Sequence, residues 1–168
     1  MVRRLAGVIV TFLAAGSLVG AGCGSDPAAS EPTVGGLVAE LDDLAARSAQ
    51  VKASLQSCVP NGTLESAAEA RCLAQPYEAT AAIGGDIVAY LGRLEAVSSG
   101  ECLSQVRALI DAWTPLVEDL TAISESASAG NAEKTAQLLE SPSVAKHSEA
   151  VQAVATKASG ETLAATCG

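Results

Sequence analysis

Apolar residues recur every three, four or seven positions from about residue 34 onward, the period of a helix with one buried face. Charged residues such as Asp42, Asp43 and Arg47 fall mostly off the first of these stripes. The Val-Pro-Asn-Gly sequence at 59–62 predicts a turn that ends this segment. The apolar stripe of the first predicted helix consists of Val34, Leu37, Leu41, Leu44, Val51 and Leu55.

A second helical segment is predicted to follow from Thr63 and to be interrupted at Pro76, since proline lacks the N–H that a helix interior needs. Ser66 and Glu69 have the spacing of a capping box. Three glycines weaken the segment, and they indicate either close contact with another helix or local mobility. These glycines are Gly84, Gly85 and Gly92. The stripe consists of Ile83, Ile87, Leu91, Leu94 and Val97.

The third segment has the most regular pattern. Ser98 and Glu101 again have capping-box spacing at its start. Its stripe keeps the same phase on both sides of Pro115, which predicts one helix with a kink rather than two separate helices. The stripe consists of Leu103, Val106, Ile110, Trp113, Val117 and Leu120.

The last part of the chain predicts a short helix and a longer one. Asn131 is the expected N-cap of the short helix. Ser141 followed by Pro142 is typical of a fresh helix start, with proline at the first helical position. Gly160 is expected to stop the longer helix before a terminal turn. The apolar positions are Leu138, Leu139, Val144, Val151, Val154 and Ala158.

The sequence shows no alternating strand pattern of useful length and no repeat of solenoid spacing. We therefore predict an all-α fold, an antiparallel bundle of about four interrupted helices. Only 2% of the residues are aromatic although 49% are hydrophobic, so alanine supplies much of the apolar surface. Such a core buries little area per residue, and we expect disulfides to reinforce it.

The N-terminus has the pattern of a signal peptide. Arg3 and Arg4 precede an apolar stretch over 5–19, which is shorter than the roughly 20 residues of a membrane-spanning helix. Small residues at 20–22 then lead directly to Cys23. An ordinary secretory leader followed by a plain thiol is the alternative interpretation.

The segment ending at Cys23 resembles the lipobox of bacterial prolipoproteins. Gly20 stands where that family usually has leucine, three positions before the cysteine. The resemblance covers about the first 23 residues and implies cleavage before Cys23 and attachment of a lipid to its thiol. It thereby implies a cell-membrane location, with the protein on the extracytoplasmic face.

These features divide the chain into a signal peptide (1–22), a flexible tether (23–33) and a helical domain (34–168). Without the leader, 8 basic residues face 19 acidic ones, which gives a net charge of −11. So acidic a chain is expected to repel nucleic-acid phosphate, and no nucleic-acid partner is predicted. The membrane, reached through the lipid on Cys23, is the predicted partner, and an envelope protein is a further candidate.

Four cysteines remain besides Cys23, and an even number in an exported domain indicates disulfides. Metal binding is the alternative, but the chain has no Cys-x-x-Cys motif and a single histidine. Spacing alone allows three pairings. These cysteines are Cys58, Cys72, Cys102 and Cys167.

The order of helices in an up-down-up-down bundle favours one pairing. Cys58 ends the first helix beside the early part of the second, which predicts Cys58–Cys72. Cys102 and Cys167 both lie at the opposite end, which predicts Cys102–Cys167. The first bridge requires the 59–71 segment to fold back, because in a regular helix from residue 63 Cys72 would lie about 13 Å along the axis.

Candidate chemistry is sparse, and we predict no catalytic residue, cofactor or metal site. His147 lies on or beside a buried stripe and is expected to pack there. The adjacent carboxylates of Glu118 and Asp119 point in different directions on a helix and are expected to be solvated. A candidate pocket between helices is assigned to Trp113, Tyr90 and His147, where the kink and the glycines leave space.

The functional prediction is a non-catalytic envelope lipoprotein with a partner-binding or structural role. The alternative is a carrier or sensor of a small apolar ligand bound between helices. An enzyme is the third and least favoured hypothesis.

Overall fold

The computed structural model describes residues 32–33, 35–36, 47, 51, 53–59, 62–157 and 160–167. The signal peptide, Cys23, nearly all of the tether and most of the first predicted stripe lie outside these residues. Helical conformation is present at 35–36, 47, 51 and 53–58. The helices that follow are α1 (Ala67–Val97), α2 (Gly100–Ser128), α3 (Ala132–Leu139), α4 (Pro142–Lys157) and α5 (Gly160–Cys167).

The fold is an all-α bundle built on a long helical hairpin. Only Ser98 and Ser99 separate α1 from α2, so these two helices run antiparallel and share the most extensive interface of the described residues. α2 also packs against α3, α4 and α5, which makes it the central helix. The all-α class predicted from periodicity is confirmed, and the described residues contain no strand.

The start of α1 explains how the chain folds back after Cys58. Ser66 is the N-cap, and its hydroxyl accepts a hydrogen bond from the backbone N–H of Glu69 at 3.2 Å. The Glu69 carboxylate accepts in return from the N–H of Ser66 at 2.9 Å, which completes the predicted capping box. The helix therefore begins at Ala67, not at Thr63, because this cap stops helical conformation from extending further back.

Two prolines lie inside long helices. α1 runs unbroken through Pro76, so the predicted interruption there is wrong. Pro76 is buried, and the Thr80 hydroxyl donates to its carbonyl at 2.8 Å. Burial of apolar surface on both sides of the proline offsets its cost, which is about 3 kcal/mol in an isolated helix. α2 likewise continues through Pro115, as predicted.

The start of α2 differs from its prediction. Ser99 is the N-cap and makes no side-chain capping bond. The Ser98 hydroxyl turns back and donates to the carbonyl of Leu94 at 2.6 Å, so it satisfies the end of α1. The capping box predicted from Ser98 and Glu101 therefore does not form, because in this short connection the Ser98 hydroxyl bonds to the end of α1.

The other helix ends follow the sequence more closely. Asn131 caps α3 by accepting from the N–H of Lys134 at 3.0 Å. The Ser141 hydroxyl accepts from the N–H of Ser143 at 3.1 Å, and Pro142 opens α4 as predicted. Gly160 begins α5 and does not close α4, which ends at Lys157, so that prediction is wrong.

The buried faces partly match the predicted stripes. In α1 the stripe is buried apart from Val97, which is 58% exposed at the end of the helix. In α2 only Val106 and Leu120 of the predicted stripe are fully buried, because neighbours on several sides shift the centre of the buried face. The buried apolar residues of α2 are Cys102, Val106, Leu109, Ala112, Leu116, Leu120, Ile123 and Ala127.

Two disulfides join the predicted pairs. Cys58 is bonded to Cys72 across a sequence separation of 14 residues, with 5.4 Å between their Cα atoms. Cys102 is bonded to Cys167 across 65 residues, with 5.0 Å between Cα atoms. Because α1 begins at Ala67, Cys72 lies in its second turn and comes within reach of Cys58.

The core divides into two clusters, one at each end of the hairpin. The cluster at what we call the Cys102 end includes Tyr90, Leu91 and Leu163. The cluster at what we call the Cys58 end includes residues of α1, α2 and α4. Beside it, the Thr135 hydroxyl donates to the carbonyl of Asn131 at 2.7 Å and lies 3.0 Å from the Ser126 hydroxyl, from which it can accept. The Cys58-end cluster consists of Cys58, Leu73, Tyr77, Ala112, Leu116, Leu120, Ile123, Ala127, Val144 and Val151.

Candidate functional site

The most polar cluster of the described residues joins α2 to α4. Nδ1 of His147 lies 2.7 Å from the Asp119 carboxylate. Both side chains are half-buried, at 26% and 21% exposed. Asp119 is therefore not the solvated carboxylate that the sequence predicts, although its neighbour Glu118 is exposed. His147 lies at the boundary of the core, where the sequence placed it.

Ser143 completes this cluster, but the order of contacts differs from that of a nucleophilic triad. In such a triad the serine binds one nitrogen of the histidine and the carboxylate binds the other. Here the Ser143 hydroxyl lies 3.3 and 3.4 Å from the two oxygens of Asp119, so serine and histidine converge on the same carboxylate. The arrangement connects two helices and does not activate the serine.

Tyr90 connects the end of the tether to the bundle. Its buried hydroxyl donates to the carbonyl of Thr33 at 2.9 Å and accepts from the N–H of the same residue at 3.2 Å. The Arg93 guanidinium lies over the ring, 5.0 Å from its centre. Since Tyr90 belongs to the cluster at the Cys102 end, the tether joins the domain on that side.

Trp113 lies where the two core clusters meet and packs against both. Gly84 faces it across the hairpin, and a Cβ added to Gly84 would lie 2.6 Å from a methyl carbon of Val117 and 3.8 Å from the indole ring. Gly84 therefore allows close helix contact, the first of the two interpretations of the glycines. Close packing fills this crossing, where the sequence led us to expect space.

The three residues assigned to the candidate pocket have different partners in the structure. Tyr90 bonds to Thr33, His147 bonds to Asp119, and Trp113 packs between the clusters. None of the three lines the cleft of about 630 Å³ that lies between α1 and α2. That cleft is lined by Glu78, Ala81, Ala82, Thr121, Ser124, Glu125 and Ser128.

The sequence does not predict the cleft, because its small and polar lining residues are also typical of a solvent-exposed helix face. Its floor is closed by the Ser124 hydroxyl, which donates to the carbonyl of Ala74 at 3.1 Å. Glu78 on α1 and Glu125 on α2 flank it, and both are exposed. The signal that was available is the regular spacing of small residues along the outer face of α1.

Two titratable groups have clearly shifted pKa values. Hydrogen bonds from the backbone N–H of Glu65, then from Ser66, lower the pKa of Glu69 below its ordinary value of 4.5. Burial raises the pKa of Tyr77, so its phenol stays neutral at physiological pH. Both groups belong to the Cys58 end, and neither lies in a catalytic arrangement.

Searches of the described ranges for other kinds of site gave two negative findings. These ranges hold no cluster of three or more histidine, cysteine, aspartate or glutamate side chains that could bind a metal ion. None of their helices combines the length with the apolar character needed to cross a membrane.

Comparison with known proteins gave no match, whether with protein-family models, with curated proteins or with solved structures.

Proposed function

We propose that this chain is a non-catalytic cell-envelope lipoprotein, attached to the membrane through a lipid on Cys23 and serving to bind a partner protein or to support the envelope. The lipobox-like residues 20–23 supply the anchor in this proposal. Two disulfides suit an extracytoplasmic location, because thiols stay reduced in the cytosol.

The proposal depends on one observation: the side chains that could bind a ligand or take part in catalysis make contacts within the bundle. His147 and Asp119 join α2 to α4, Tyr90 holds Thr33, and Trp113 fills the junction of the two clusters. Each group stabilises the bundle in place of facing a substrate cavity. A rigid, stapled surface on a tether fits recognition better than catalysis.

The tether contact also gives the domain an orientation within this proposal. Thr33 lies ten positions after Cys23, a reach of at most about 35 Å. Tyr90 lies seven residues from the end of α1, or about 10 Å along its axis. The Cys102 end would then face the membrane, and the Cys58 end would project away from it.

The charge distribution supports that orientation. At the Cys102 end, the described side chains include four acidic and four basic ones. At the Cys58 end, the described side chains include nine acidic ones and three basic ones, which are Arg71, Lys134 and Lys146. An anionic membrane repels the acidic end. The nine acidic residues are Glu65, Glu69, Glu78, Glu118, Asp119, Glu125, Glu133, Glu140 and Glu149.

The anchor is tested by comparing the full chain with Cys23→Ala in the cells that produce it. Labelling with a clickable fatty acid, followed by membrane fractionation, should show the lipid and the membrane association on the wild-type chain only. Stable membrane association of unlabelled Cys23→Ala would contradict the anchor. Crosslinking in intact cells then tests for a partner.

An alternative function, a carrier of a small apolar ligand, is favoured by the cleft between α1 and α2, whose floor includes Ala81 and Ala82. Titrating the full chain with a fatty acid while recording Trp113 fluorescence and native mass spectra tests it. A saturable response together with a mass shift would favour the carrier. The absence of both would leave partner binding as the proposed role.

A further inference from the structure

The outer face of α1 carries a stripe of small residues that continues from the cleft. Ala82, Gly85, Ala89 and Gly92 follow Glu78 at alternating spacings of four and three, so they lie on one face of the helix. Ala82, Ala89 and Gly92 are exposed, and Gly85 is half-buried. We call this stripe together with the cleft the α1–α2 groove.

The glycines of this stripe make no close contact with the part of the chain that the structure describes. A Cβ added to Gly85 or Gly92 would meet nothing within 4 Å, in contrast to one added to Gly84. Glycine weakens a helix interior relative to alanine, and here no contact within the bundle requires it. Small residues at helical spacing let the backbone of a second helix approach closely.

The edge of the groove formed by α2 is acidic. Glu118 and Glu125 are seven residues apart and share one face of the helix, opposite Glu78 on α1. All three are exposed, and none forms an ion pair with another described residue. A cationic side chain placed against this edge would gain attraction without displacing an existing partner.

We propose that the α1–α2 groove is the docking surface for a basic helical segment of an extracytoplasmic partner protein. The occupant would lay its backbone against Gly85 and Gly92 and direct lysine or arginine side chains toward Glu78, Glu118 and Glu125. This inference rests on the proposed partner-binding function and names the surface and the chemistry of the partner.

Charge favours a basic partner segment over three other possible occupants of the groove, which are a second copy of the chain, the tether and an anionic membrane surface. A second copy would bring its own acidic groove, and the tether carries Asp26 and Glu31 without a basic residue. An anionic membrane surface would also be repelled. Arg93, next to Gly92, is also exposed, but its guanidinium lies over the Tyr90 ring. The complementary charge for a cationic partner therefore lies in the part of the groove that carries Glu78, Glu118 and Glu125.

The first test uses the full chain and a helical alanine–lysine peptide of about 20 residues, long enough to form a helix. The peptide should bind, with affinity falling as salt is raised, and its alanine–glutamate counterpart should not bind. The variant Glu78→Gln/Glu125→Gln should weaken binding about two- to tenfold. The matched variant Glu133→Gln/Glu140→Gln removes the same charge from α3 and its C-cap and should leave binding unchanged.

A steric variant separates the groove from general electrostatic attraction. Gly85→Leu should abolish binding while the protein stays folded, because the added side chain points into open space. Ala145→Leu, at an exposed position of α4, is its control. Failure of the lysine peptide to bind, equal weakening by the two charge variants, or unchanged binding by Gly85→Leu would overturn the proposal.

The second test distinguishes failure of the groove from failure of the proposed function. A photocrosslinking residue is placed at Ala82 or at Ala145 in the full chain, in the membranes of the producing cells. An adduct at Ala82 that Glu78→Gln/Glu125→Gln abolishes supports the groove. Adducts at Ala145 alone would overturn the groove but keep partner binding, whereas no adduct at either position would count against both.

Discussion

The Cys58 end and the Cys102 end of the bundle are each closed by a disulfide, yet they are built differently. The Cys58 bridge closes a local loop of 14 residues next to a complete capping box. The Cys102 bridge closes 65 residues beside a helix start without a side-chain cap. The described side chains of the first end are mainly acidic and include the Thr135–Ser126 hydrogen bond, whereas those of the second end include four acidic and four basic groups.

This difference shows two ways of reinforcing an alanine-rich core. At the Cys58 end, hydrogen bonds between residues close in sequence fix the turn, and the bridge adds to them. At the Cys102 end, the bridge attaches α5 to the start of α2, in addition to the burial of Leu163 in the same cluster and the hydrogen bond that Gln105 donates to Thr166 at 3.4 Å. The two ends should therefore respond differently to matched substitutions.

The largest expected difference comes from removing the disulfides. Cys102→Ala/Cys167→Ala should lower the free energy of unfolding by about 4 kcal/mol, and Cys58→Ala/Cys72→Ala by about 3 kcal/mol, because the longer loop restricts the unfolded chain more. Cys58 and Cys102 are both 7% exposed, whereas Cys72 is exposed and Cys167 is half-buried, so lost burial adds to the larger effect expected at the Cys102 end. Urea unfolding measures both values, and the reverse order would contradict the comparison.

The next effect concerns the junction of the two ends. Gly84→Ala should cost about 1–3 kcal/mol, because the new methyl group would overlap Val117. Gly85→Ala should instead stabilise the protein by up to about 1 kcal/mol, since its Cβ meets nothing and alanine favours the helix. Thermal unfolding of the two variants checks this, and equal shifts would show that Gly84 is not a close-contact position.

The caps give a smaller contrast. Ser66→Ala should cost about 1 kcal/mol, because it removes a formed N-cap bond. Ser99→Ala should change stability by less than about 0.5 kcal/mol, because the Ser99 side chain makes no such bond. Urea unfolding compares them, and an equal loss in both variants would mean that the two helix starts are alike.

The smallest effect is a pH dependence at the Cys58 end. The pKa of Glu69 is lower in the folded protein than its ordinary value of 4.5, so its carboxylate contributes stability above that value. The contribution is lost as the pH falls from 4.5 through the folded pKa. The stability difference between wild type and Glu69→Gln should shrink over this range, and a constant difference would argue against the capping interaction.

Sequence reasoning was most successful where a few neighbouring residues decide the structure. Asn131 and Ser141 cap their helices as predicted, and Ser66 with Glu69 forms its box. The same reasoning was wrong for Ser98, because the two-residue connection gives its hydroxyl a closer acceptor in Leu94. The serine and glutamate are three residues apart in both predicted boxes. Only the surrounding chain decides that the first box forms and the second does not.

The candidate site was less predictable. His147 was correctly placed at the edge of the core, but its partner Asp119 is 28 residues away and was interpreted as solvated. The cleft between α1 and α2 was not anticipated, because Glu78 and Glu125 belong to different helices and become neighbours only when these helices pair.

The helical class, the capping box of α1, the starts of α3 and α4 and the disulfide pairing follow from the sequence, because periodicity, caps and helix order act through local geometry and chain connectivity. The tertiary structure decided that α1 continues through Pro76, that Gly84 is packed while Gly85 is open, and that α2 is the central helix. These outcomes depend on which surfaces meet across the bundle. Burial against a neighbouring helix offsets the loss of helix stability that a proline or a glycine causes, and the sequence alone does not show where that burial occurs.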